Sequence, residues 1–154
     1  MRFFFYGTLL DPDVTALVLG RRLAPAAFTP AALPGHARRR VKGASYPIAV
    51  RDPRSEVAGA VVVGLSARDV ARLAAYEGPR YRIASLKVRI AGVLSTVSVF
   101  APLEERFQPT SGSWELMSWQ RGHKRTFLAR LGPALSDLHS RSQPALPCRR
   151  SCAG

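Results

Sequence analysis

Two short stretches carry groups that could do chemistry together. In the first, the aromatic run Phe3-Phe4-Phe5-Tyr6 meets Gly7-Thr8-Leu9, and Asp11-Pro12-Asp13 follows with the marks of a helix start. Asp11 can cap free N–H groups, Pro12 suits the first helical position, and Asp13 favours the positive helix end. Such a strand–glycine–helix junction leaves backbone N–H groups unpaired at the mouth of a sheet, where they can bind a carboxylate or a developing oxyanion. The same residues would also serve an ordinary buried strand and turn. In the second stretch, Tyr76-Glu77-Gly78-Pro79-Arg80-Tyr81, the glycine and proline end a helix just after Glu77. A carboxylate at the negative end of a helix is penalised as an anion, so its pKa is expected to rise toward the range of a general base. A solvated residue after a helix is the plainer alternative.

The elements that must position these stretches follow from periodicity and punctuation. Val14, Leu17 and Val18 share one face of a helix of about two turns, stopped by Gly20. Residues 21–34 are rich in Ala and Pro and allow an irregular crossing or a short edge strand, closed by a Pro34-Gly35 turn. Gly43-Ala44-Ser45 leads into Tyr46-Pro47, either an aromatic wall beside a pocket or a surface loop, and Asp52-Pro53 turns the chain again. Residues 57–65 form the clearest strand, with the dense β-branched content of a strand buried on both faces. Ser66-Ala67-Arg68-Asp69 has the form of a capping box opening a helix through Val70, Leu73 and Ala74.

Two strands, 81–90 and 93–100, meet at Ala91-Gly92, with Ala84, Leu86, Val88 and Ile90 on one face and Ser85, Lys87 and Arg89 on the other. Trp119, His123, Phe127 and Leu131 fall about one per turn after Trp114, on a last helix that Gly132-Pro133 interrupts. His123 reads as structural, and His36 and His139 have no supporting partners. The element order indicates an α+β fold, a small barrel-like mixed sheet flanked by helices. One domain is expected over residues 1–139, followed by a flexible basic tail at 140–154.

The 154-residue chain, 47% apolar, is long enough for a core without staples. Its formal charge of +13 would suit nucleic acid, but apart from Arg38-Arg39-Arg40 with Lys42 the basic residues are dispersed through an Ala/Arg/Pro/Gly-rich composition. Nucleic-acid binding is therefore not expected. The two cysteines, Cys148 and Cys152, fall short of the four ligands of a zinc site and are expected to be reduced. No stretch has the length and apolarity of a membrane span, and a cytoplasmic protein is expected.

Taken together, Tyr6-Gly7-Thr8-Leu9, the loop Gly43-Ala44-Ser45-Tyr46-Pro47, the strand and helix at 57–73, Glu77-Gly78-Pro79-Arg80-Tyr81 and the Trp114, Trp119, His123 pattern resemble the gamma-glutamylcyclotransferase-like proteins. Within them the chain is similar to the AIG2-like branch, over about residues 2–131. The resemblance implies a gamma-glutamylcyclotransferase-like fold and one pocket between the Y-G-T-L turn and the E-G-x-x-Y carboxylate. Enzymes of this family cyclise a γ-glutamyl amide to 5-oxoproline and release the amine, with no metal, cofactor or enzyme nucleophile. On that basis Glu77 is the catalytic general acid/base, and Tyr6, Gly7, Thr8, Leu9, Tyr46 and Tyr81 bind a small γ-glutamyl substrate. The chain departs from the family pattern at Ala75, where an acid is often found, and at Ile83, where a second arginine is often found. The alternative is a non-catalytic module on the same fold that senses an acidic metabolite or holds a partner. Neither the substrate's amine nor an oligomeric state is legible at this level.

Overall fold

In the computed structural model, which describes residues 1–141, β1 (Phe3–Phe5) lies between two neighbours. It runs antiparallel to β3 (Pro47–Val62), with Phe3 opposite Val62 and Phe5 opposite Ala60, and parallel to β5 (Val93–Pro102), with Phe3 opposite Ser98. β5 pairs throughout with β4 (Tyr81–Ile90), β4 meets β2 (Phe28–Val41) at Arg89 opposite Ala32, and β2 returns along β3. The five strands thus close into a barrel, and β6 (Pro109–Ser113) pairs with β2 beside it. Closure leaves few free strand edges. This is the expected barrel-like α+β architecture.

Period-two alternation decides what each strand buries. Phe4 and Tyr6 point into the barrel with Leu33, Val61, Val88 and Val99. Phe3 and Phe5 face a second core beneath the helices: α1 (Pro12–Leu19), α2 (Ala67–Glu77), α3 (Leu116–Gly122) and α4 (Lys124–Arg141). Val14, Leu73, Trp119 and Leu135 complete that core. β3 approaches β1 so closely at Gly59 that a Cβ there would lie 2.2 Å from the Phe5 carbonyl oxygen.

Caps form as the sequence indicates. Asp11 accepts from the amides of Asp13 and Val14 at 2.9 and 3.2 Å, and Ser66 and Asp69 form a reciprocal box. The β4–β5 hairpin also has the expected register, with Ala91 and Gly92 both at positive φ in its turn.

Several expectations are corrected. Residues 28–41 form one long strand, because pairing with β3 satisfies the backbone around Pro30 and Pro34. Pro34-Gly35 is a bulge in β2, with Gly35 at φ +73°, and Asp52-Pro53 lies inside β3. There the extra residues opposite the bulge are held by Asp52, which accepts from the Arg54 amide and the Ser55 hydroxyl. Leu17 is 41% exposed; the buried face of α1 is Val14, Thr15, Val18 and Leu19. Burial on both faces of 57–65 holds at Val61 and Val62 but not at Ala58 or Val63, which are exposed. The last helix breaks at His123, which is exposed, and continues through Pro133, where the buried Leu131 and Leu135 anchor it. Trp114 precedes α3. The 139/140 boundary falls within α4, while residues 142–154, with Cys148 and Cys152, lie outside the described residues. Among the described residues no helix is long and apolar enough to cross a membrane.

Candidate active site

After β1 the chain leaves the barrel at Tyr6 and turns through Gly7 into a single 3-10 turn, Thr8–Leu10, before Asp11 caps α1. The Leu10 amide donates to the Gly7 carbonyl at 2.9 Å, so the amides of Thr8 and Leu9 stand at the open head of the turn, where helical N–H groups have no partner within the turn. A Cβ on Gly7 would lie 3.3 Å from the Pro47 ring, which places the turn tightly against the start of β3.

α2 delivers Glu77 as its last residue, and Gly78 at φ +78° ends it there. The turn and Glu77 line one cavity of about 590 Å³ together with Tyr46 and Tyr81. All seven residues singled out in the sequence, Tyr6, Gly7, Thr8, Leu9, Tyr46, Glu77 and Tyr81, therefore meet at one place. Glu77 is the only acid among the described lining residues, and Arg80 and Arg130 are the only cations. Burial pushes the Glu77 carboxyl from 4.5 up to about 8, the direction expected at a helix end but caused by the cavity walls. The hydroxyls of Tyr6, Tyr76 and Tyr81 are also raised, first by burial and then by neighbouring groups including Glu77, so they remain proton donors.

The tyrosines are fixed by specific bonds. Tyr6 donates its hydroxyl to the Phe100 carbonyl at 3.2 Å, and Arg80 donates to the Tyr46 hydroxyl at 2.7 Å while its guanidinium lies over Phe107. Trp114 donates to the Ser45 carbonyl at 2.8 Å and Trp119 to the Ser45 hydroxyl at 3.4 Å, so two indoles hold the 43–45 loop. Arg38, part of the basic run, turns inward and donates to the carbonyls of Tyr6, Ala58 and Trp114, each at 3.0 Å. The cationic run therefore braces the Tyr6 backbone at one of its members.

Sequence reasoning missed three parts of the site. Tyr76 shares a 2.8 Å hydrogen bond with the Thr8 hydroxyl and joins the carboxylate helix to the turn. Arg80 lay inside the recognised segment without an assigned role. The wall from α4, with Phe127, Arg130, Leu131 and Leu135, was signalled by apolar spacing that reads equally as core packing. No group of three or more potential metal ligands occurs among the described residues. Ala75 and Ile83, the departures from the family pattern, are exposed and outside the cavity lining.

The closed five-strand barrel with its flanking helices is a gamma-glutamyl cyclotransferase type of fold, and comparison with known proteins gives the same class. Residues 3–116 match the family described as gamma-glutamyl cyclotransferase, AIG2-like, and the chain belongs to that family. It is 30% identical to AIG2-like protein A of Arabidopsis thaliana over 127 residues, 81% of this chain and 75% of the relative. It is 28% identical to protein AIG2 C of the same plant, with the same coverage. A solution structure of an Arabidopsis thaliana protein superposes with TM-score 0.61 at 26% identity, covering 93% of each chain. A structure titled gamma-glutamyl cyclotransferase superposes with TM-score 0.55 at 15% identity, covering 92% of this chain and 98% of that one, and shares the fold.

Proposed function

We propose that the protein cyclises the γ-glutamyl group of a small γ-glutamyl amine or peptide, forming 5-oxoproline and releasing the amine. The observation that carries this reading is Glu77: a half-buried carboxyl without an ion pair among the described residues, raised to about 8, in the same cavity as the 3-10 turn. The substrate's α-amine is its own nucleophile, so the protein has to fold the substrate and move one proton. Holding amine and γ-carbonyl together supplies much of the rate by proximity. As the new C–N bond forms, Glu77 takes the proton from the attacking nitrogen, and the carbonyl oxygen becomes an oxyanion. Glu77 then returns the proton to the leaving nitrogen as the old C–N bond breaks, so no proton is gained or lost overall. The amides at Gly7, Thr8 and Leu9 serve the α-carboxylate or the oxyanion, and Tyr6, Tyr46 and Tyr81 enclose the substrate. We place the reaction in the cytoplasm, as expected from the sequence.

The test follows 5-oxoproline release from a panel of γ-glutamyl compounds. Glu77→Gln should lower kcat/KM by about 10²–10⁴-fold, the usual range for a general acid/base. Because free Glu77 is mostly protonated at neutral pH, wild-type kcat/KM should climb about tenfold per pH unit below about 8 and then level. Full activity in Glu77→Gln, or no turnover of any γ-glutamyl compound, would overturn the proposal.

A further inference from the structure

A second cleft, of about 710 Å³, adjoins the active cavity. The two share the 43–45 loop, Phe127 and Arg130, so they are continuous across the loop held by Trp114 and Trp119. This cleft is lined by Arg40, Lys42, His123 and Arg130, with no acidic residue among its described lining. All four side chains are exposed. The ion pairs among the described residues engage Arg21, Arg22, Arg39, Arg89 and Lys124, leaving Arg40, Lys42 and Arg130 without a carboxylate. Neighbouring cations behave differently: Arg38 is bonded inward and Arg39 faces Asp52. Three cations without a carboxylate partner among the described residues, gathered in one concave surface, concentrate a positive field there.

We infer that this cleft receives the amine-side portion of the substrate, and that this portion is an acidic peptide carrying two or more carboxylates. The inference rests on the cyclotransferase reading for what lies in the first cavity. With the γ-glutamyl group enclosed between Glu77 and the Gly7–Leu9 turn, the chain beyond the scissile amide leaves past Arg130, the cation common to both cavities. Carboxylates there meet Arg130 first and Arg40 and Lys42 beyond it, where guanidinium groups bind carboxylates with paired N–H donors. Arg130 and His123 lie after residue 116, outside the segment matched to the family, while Arg40 and Lys42 lie within it.

The test compares γ-glutamyl-alanyl-glutamate, γ-glutamyl-alanyl-lysine and γ-glutamyl-alanine amide as substrates of the full-length protein. The acidic compound should exceed the other two in kcat/KM by about tenfold or more, as expected for charge-assisted contacts, and added salt should erode the advantage. Arg130→Ala and the pair Arg40→Ala/Lys42→Ala should each reduce the ratio between acidic and basic substrates. Equal rates in the wild type, or a ratio untouched by both variants, would overturn the inference and leave the cyclotransferase reading standing. Calorimetric binding of alanyl-glutamate against alanyl-lysine reads the cleft without turnover. Selective binding of the acidic dipeptide in a protein that turns over no γ-glutamyl compound would support the cleft assignment and remove the reaction. Binding of a short oligonucleotide that alanyl-glutamate cannot displace would assign the cleft to nucleic acid and overturn the inference.

Discussion

Glu77 at neutral pH is held mainly as the acid, and this has a cost that can be read in stability as well as rate. Its folded pKa of about 8 stands above its ordinary 4.5, so the native state binds the extra proton. The contribution is fully present below about 4.5, and stability is lost as pH rises through about 8. Glu77→Gln carries no such charge and should become more stable than the wild type as pH climbs across that interval. The difference should reach about 2 kcal/mol near pH 9, a value reduced because the side chain is only half-buried. Urea unfolding of both proteins between pH 5 and about 9 checks the sign; a constant difference would mean that burial is not what raises this carboxyl.

α1 is locked to the α3–α4 corner by a polar latch at the start of the helix. The Lys124 ammonium lies 2.8 Å from Asp11 and 2.7 Å from Asp13, and Gln120 donates to Asp11 at 2.9 Å. Asp11 is fully buried. Burial raises its pKa, but bonds from Lys124, Gln120 and the amides of Val14 and Asp13 together hold it below the ordinary value. Lys124→Ala should cost about 2 kcal/mol, because Asp11 keeps its remaining donors. The effect should be present above the ordinary carboxylate range and fade as acid protonates Asp11, which chemical unfolding at neutral and acidic pH would detect. The β4–β5 turn offers the opposite change. Ala91 sits at φ +48°, so Ala91→Gly should stabilise by about 0.5–1 kcal/mol, measured as a rise in unfolding midpoint without loss of 5-oxoproline release.

For the whole molecule, closure of the barrel is the step on which the site depends, because β1 must sit between β3 and β5 for Tyr6 to deliver the turn. The close approach at Gly59 leaves no room for a side chain: its Cβ would also lie 2.7 Å from the Phe4 ring. Gly59→Ala should therefore destabilise by about 3 kcal/mol, the upper end for overpacking, and reduce the proposed cyclotransferase activity through displacement of β1. Circular dichroism melting and 5-oxoproline release on the same preparations would test both. A variant with unchanged melting would show that the two strands can separate at this point without consequence.

Residues a few positions apart along the chain already fix the local chemistry. The Asp11 and Ser66 caps, the Gly20 and Gly78 stops, and the alternating hairpin at 81–100 all depend on neighbours a few residues apart. The Y-G-T-L and E-G-x-x-Y segments were legible for the same reason, with the family resemblance linking them. Tertiary structure decided whatever depends on a distant partner. Pro30, Pro34 and Pro53 read as breakers, yet they lie within paired β2 and β3, because a long antiparallel ladder offsets single missing donors. Arg38 read as part of a basic run, and only the fold brings the Tyr6 and Trp114 carbonyls to it. The helix end suggested a raised Glu77, but its cavity walls come from five separate parts of the chain, and burial is a property of that assembly. Spacing along the chain sets hydrogen bonds within a turn, while desolvation and long-range pairing arise only once the barrel has closed.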